Sequence, residues 1–217
     1  MSWSRILAFA RRTTLVVAAA TVCHPTSAQN TPDPGKLLQD ADRLAWLKNW
    51  TRAEPLYADA ERLFNERSDQ RNALYASVNK LRAQLPRLAV PEVSQQLAKY
   101  LDDPIVRTDD RLRLRCLVIK GETDTDLDPF LAEQSWREAL KVATKLTDSA
   151  WVNRAEGELG LVAFLQGDIS TSVIKLGRAL QTAQSNGDVA SVVRWLTLFG
   201  EGYSQLGRAE QALDYYD

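Results

Sequence analysis

An apolar pattern that recurs every forty residues constrains this chain more than any other feature. Ala53, Tyr57 and Ala60 are spaced i, i+4, i+7, which is one face of a helix. The spacing returns at Val93, Leu97 and Tyr100, at Ala132, Trp136 and Ala139, at Ser172, Leu176 and Ala179, and at Ala212 and Tyr216. Successive copies are offset by 40, 39, 40 and 40 residues. A period of this length marks stacked supersecondary units, because one unit cannot bury its apolar face alone.

Each copy is preceded by a second amphipathic segment and a turn. The clearest examples hold Leu159, Gly160, Ala163 and Gly167, and then Phe199, Gly200, Tyr203 and Gly207. A glycine inside a helix costs about 1 kcal/mol relative to alanine. Gly160 and Gly200, at equivalent places, therefore imply that two helix backbones approach closely there. Gly167 and Gly207 suit helix ends that need positive φ. Asp33, Asp69, Asp109, Asp148 and Asp188 stand at or near expected helix starts, where a carboxylate accepts orphan amide hydrogens. Pro91 and Pro129 suit first-turn positions, and Pro55 falls early enough in its helix to be tolerated. The pattern predicts helix pairs at 37–47 with 51–65, 70–84 with 91–102, 108–121 with 129–146, 149–166 with 169–185, and 189–206 with 209–217.

These residues resemble the tetratricopeptide-repeat (TPR) family. Leu196, Phe199, Gly200, Tyr203, Gly207, Ala212 and Tyr216 stand at the family's signature offsets, without the tryptophan of its first position. Leu159, Gly160, Ala163, Gly167, Leu176 and Ala179 match in the preceding copy, and Ala41, Leu44, Trp50, Ala53, Tyr57 and Ala60 in the first. The second and third copies carry the pattern mainly in Leu97 and Trp136. The forty-residue form is similar to repeats of exported bacterial proteins, including those that precede caspase-like CHAT domains. The resemblance covers residues 37–217 and implies an all-α, right-handed superhelical solenoid of about five repeats, the last incomplete. It further implies a concave groove that holds a protein or peptide partner. Carried over position by position, the groove residues are Asn153, Arg154, Leu161 and Phe164 in the fourth repeat, and Arg194, Thr197, Glu201 and Ser204 in the fifth. The lysine–asparagine clamp of some members is not evident, since Gly157 and Leu161 occupy its places in the fourth repeat.

Residues 1–28 read as a secretory signal peptide. Arg5, Arg11 and Arg12 are their only charges, an apolar run follows from Leu15 to Val22, and Thr26-Ser27-Ala28 offers a cleavage site. The run is about half the ~20 residues that span a bilayer, so no stable membrane span is expected after cleavage. The reading is an exported protein, periplasmic or secreted, with residues 29–36 as a flexible lead-in. Cys23 leaves with the signal, and Cys116 remains as a buried hydrophobe in a helical run.

Little in the composition suggests chemistry. Lys plus Arg numbers 27 against 28 for Asp plus Glu, so no excess of positive charge is available to neutralise nucleic-acid phosphates. The one histidine, His24, lies in the signal, which removes histidine-based triads and HExxH zinc sites from the mature chain. Asp124, Asp126 and Asp128 resemble the start of a calcium loop, but Pro129 and Ser135 stand where its glycine and bidentate glutamate belong. They read as a helix-capping acidic turn. Arg111, Arg113 and Arg115 form a basic cluster beside Asp109 and Asp110 in which Arg111 and Arg115 share a helix face and Arg113 points elsewhere, read as a solvated face with local ion pairs, and the tryptophans read as packing residues. Glu156 and Glu158 have no sign of sharing a cleft. No catalytic residue, cofactor or metal site is therefore expected. The expected function is an exported scaffold for a protein or peptide partner. The alternative is the sensory or regulatory arm of a longer signalling or protease-like protein, suggested by a chain that stops within a trailing helix.

Overall fold

A computed structural model describes residues 32–216, and these form helices and turns without a strand. The helices are α1 (Pro34–Trp46), α2 (Trp50–Glu66), α3 (Gln70–Gln84), α4 (Val90–Asp102), α5 (Pro104–Thr108) and α6 (Asp110–Thr125). They continue with α7 (Pro129–Lys145), α8 (Ser149–Leu165), α9 (Ile169–Asn186), α10 (Val189–Gln205) and α11 (Ala209–Leu213). Most adjacent helices pack as pairs, with α2 on α3, α6 on α7 and α8 on α9 the most extensive, but the expected pair of α3 with α4 does not form, because α4 packs on α6 instead. The proposed signal peptide and residues 29–31 of the lead-in lie outside the described residues.

The expected boundaries hold closely, and the departures have local causes. Helix α1 starts at Pro34, ahead of the expected residue 37, because Asp33 caps it by accepting from the Gly35 amide. A short helix, α5, was not expected. Asp103 caps it through the Ile105 amide, and Pro104 fills its first position. Leu85–Arg87 forms a 3-10 turn around Pro86 before α4. Helix α11 ends at Leu213, short of the expected trailing helix.

The forty-residue period resolves into two half-periods of twenty, each set by a turn. Lys48, Ser68, Thr147, Gly167, Gly187 and Gly207 all have positive φ. In each case the next residue's amide returns to a carbonyl five residues back, as from Asp69 to Phe64 and from Asp168 to Ala163. That residue also starts the next helix. Asp69, Asp148, Asp168 and Asp188 each accept from the amide three residues on. One three-residue device thus closes one helix and opens the next antiparallel to it.

Large side chains of later helices seat on small residues of earlier ones. Beside Gly160, a Cβ would stand 3.1 Å from the Leu176 amide nitrogen, which confirms a close backbone approach of α8 and α9. Gly200 differs: the neighbour is the Tyr216 ring, not backbone. Two further glycines are seats for indoles. Trp136 lies on Gly121 and Trp195 on Gly157, where a Cβ would fall at 2.7 and 2.4 Å from the rings. Both tryptophans are fully buried.

Helix α6 is buried on most sides and anchors two core clusters, one with α3–α5 and one with α7 and α8. Arg115 is consequently buried, which corrects the reading of Arg111 and Arg115 as a shared solvated face. Arg111 is exposed, whereas Arg115 donates to Asn79 and lies 3.9 Å from Asp42. Asp124, too, faces inward. It pairs with Lys120 at 2.8 Å and accepts from Ser94 and Ser135. Asp128 instead caps α7 through the Phe130 amide. The two carboxylates therefore serve different elements. Ser94, Lys120, Asp124 and Ser135 satisfy one another and tie α4 and α7 to α6, with the lysine held by the carboxylate rather than placed to activate a hydroxyl.

Candidate functional site

The leading helices α6, α8 and α10 repeat a charged residue as well as apolar ones. Arg115, Arg154 and Arg194 occupy equivalent places 39 and 40 residues apart. Each guanidinium lies over an indole. Arg115 is 5.4 Å from the Trp151 ring, Arg154 is 4.4 Å from Trp46, and Arg194 is 5.6 Å from Trp195. The Trp151 and Trp46 rings come from other repeats, so Arg115 and Arg154 tie separate repeats together.

Carboxylates complete the network. Arg194 forms a bidentate pair with Glu158, both bonds at 2.6 Å, and Glu158 is 2% exposed. Glu122 accepts from Lys48 and Arg82. Burial alone would raise the Glu122 carboxyl, but the two cations hold it well below the usual carboxylate range. Burial pulls the Lys48 ammonium below its ordinary value, and Glu122 offsets only part of that. Asp42 accepts from the hydroxyls of Tyr57 and Tyr75 at 2.7 and 3.0 Å.

Helix α1 reaches this network across the fold. The Trp46 indole donates to Asp188 at 3.1 Å and meets Trp151 edge-on, ring centroids 5.0 Å apart. Trp46, Leu47 and Lys48 thus face α6, α8 and α10, which belong to later repeats.

This arrangement divides the eight expected groove residues. Asn153 and Arg154 are buried, which corrects their expected exposure. The Asn153 amide donates to the Ala179 carbonyl, and Arg154 lies between Trp46 and Trp195. Arg194 is committed to Glu158. Thr197 and Glu201 line a cleft of about 440 Å³ between α10 and the Trp46-Leu47-Lys48 turn. Leu161, Phe164 and Glu201 line a separate cavity of about 160 Å³, closed by Ile169, Val173, Leu198 and Leu206. Ser204 is exposed and lines neither. The periodicity of Arg115, Arg154 and Arg194 was available to mark these arginines as one repeated structural position, buried at Arg115 and Arg154 and half-buried at Arg194. Arg82 and Glu122 carry the same offset of forty.

The small cavity is the part of this surface suited to a ligand. Its walls are mostly hydrocarbon, and Leu165, Val173 and Leu206 at its edge are 44%, 44% and 46% exposed. Its charged groups are Glu201 and Arg208. A cavity of this size and lining accommodates one aromatic or branched aliphatic group.

Cys116 is the one free thiol among the described residues. It is fully buried, and burial pushes it up to about 12, which keeps it from acting as a nucleophile. Among the described residues no helix is long and apolar enough to cross a membrane. No protein-family model and no curated protein matches the chain.

Proposed function

We propose that this chain is a TPR-like solenoid that binds a protein or peptide partner along α8 and α10, inserting an apolar side chain into the cavity beside Phe164. The observation that carries this reading is that cavity, open between repeats and bordered by exposed Leu165, Val173 and Leu206. Apolar surface gathered at a pocket mouth marks an interaction site more often than scattered apolar residues do. The ion-paired arginines form the scaffold that holds α8 and α10 in register. The signal-like residues 1–28 support an exported protein whose partner is met outside the cytoplasm.

Selection of a random peptide library on the purified protein tests the binding reading. Enriched peptides should share an aromatic or branched anchor and lose affinity for a Leu198→Trp variant that fills the cavity. No enrichment, or equal binding to the filled variant with its helicity unchanged, would refute it.

A further inference from the structure

We propose that the α1–α2 turn is a latch over the cleft beside Thr197 and Glu201, and that its displacement from α10 extends the partner surface beyond the apolar cavity; the regulatory meaning rests on the binding role of that cavity. The latch is small. Trp46 meets Asp188, Trp151 and Arg154, and Lys48 meets Glu122, while Leu47 between them remains 58% exposed. Cavities of about 540 and 440 Å³ flank the turn. The turn is therefore held at its tip by polar and cation–aromatic interactions, with little packed hydrocarbon around it.

The closed arrangement also carries a cost that opening relieves. Arg154 is 3% exposed, and its Nε and Nη2 have no hydrogen-bond partner among the described residues. Buried donors without partners are costly. Trp46 covers this guanidinium, so withdrawing the turn returns water to it while Glu158 keeps its pair with Arg194. Holding the tip favours the closed state, and hydrating Arg154 favours the open one. Two opposed effects of this kind suit a balance between the states.

The first helices do not depend on the latch for their own core. Ala41, Ala45, Ala53 and Tyr57 form one cluster, and Ala60, Phe64, Ala73 and Ala76 form another that reaches α3. The consequence of opening is specific. Leu198 and Glu201 line both the cleft under the latch and the apolar cavity. Lifting the turn joins the two into one surface along α10.

A pair of nitroxide labels at Leu47→Cys and Val193→Cys, both exposed positions, measures the opening in the full chain. Trp46→Phe keeps an aromatic ring but removes the donor to Asp188, and Lys48→Met removes the ion pair with Glu122. Either change should raise the ratio of long to short label distances about fivefold, the effect of one ordinary hydrogen bond on an equilibrium. Cys116 should stay as slow to label as in the parent chain. An unchanged distance distribution in the variants overturns the latch. So does opening that speeds Cys116 labelling in parallel, because the turn would then be part of the general core. If one variant fails to fold, the other decides. Distances are read without a partner, so variants that open yet bind selected peptides no better than the parent count against the binding role and leave the latch standing.

Discussion

The Trp46 indole nitrogen donates to the Asp188 carboxylate at 3.1 Å across a separation of 142 residues. Asp188 also caps α10 through the Ser191 amide, so one carboxylate starts a helix and receives the first repeat. An open groove would leave such residues to solvent. Here the chain's own turn occupies the position.

Replacing Gly157 with alanine should be more damaging than the same change at Gly200. The new methyl at 157 collides with Trp195, which is fully buried and cannot shift, and overpacking of this kind costs about 1–3 kcal/mol. At 200 the obstacle is Tyr216, 53% exposed and able to turn away. Urea denaturation of the two variants makes the comparison. Equal losses would mean that the Trp195 seat is not tight.

Breaking the Arg194–Glu158 pair from the arginine side should cost about 3–5 kcal/mol, because Glu158 remains buried and unpaired. Replacing both residues with methionine should recover much of that loss. A double-mutant cycle measures it, and additive losses would show that the two side chains are uncoupled.

Thr147→Gly should stabilise the protein by about 0.5–1 kcal/mol, since a β-branched residue in the left-handed region is strained by more than glycine's extra unfolded-state entropy. Thr147 has φ of 54° and is half-buried at most, so little packing is lost. A higher melting temperature is the expected result.

Acid should weaken the network with a defined sign. The Glu122 carboxyl titrates well below its unfolded value of about 4.3. Asp188 shifts the same way: burial would raise it, but hydrogen bonds from Ser191 and Trp46 outweigh that. Between folded and unfolded values the unfolded chain binds more protons, so stability is full above the window and falls as pH drops through it. Denaturant midpoints should decline below about pH 4.3, and less steeply in Glu122→Gln. Equal slopes would remove Glu122 as a contributor.

Cys116 should resist thiol reagents under native conditions and react fully in denaturant, given its burial. Rapid native labelling would show that α6 opens readily.

Helix positions were legible in the sequence because local chemistry sets them. Capping carboxylates at Asp69, Asp148 and Asp188, residues suited to turns, and apolar spacing act within a few positions of one another. Close approach at Gly160 was legible from its place in the repeated pattern, although the same place at Gly200 meets a tyrosine ring instead of backbone. The fate of the arginines was not. Arg111 and Arg115 stand one turn apart on one helix, yet one is exposed and the other buried, because α3 and α8 cover only part of α6. Likewise, Arg154 holds a position open to ligands in an open groove, and only the folding of Trp46 onto it decides otherwise. Periodicity determines which residues share a helix face. What covers that face depends on where distant repeats meet, and no local spacing carries that information.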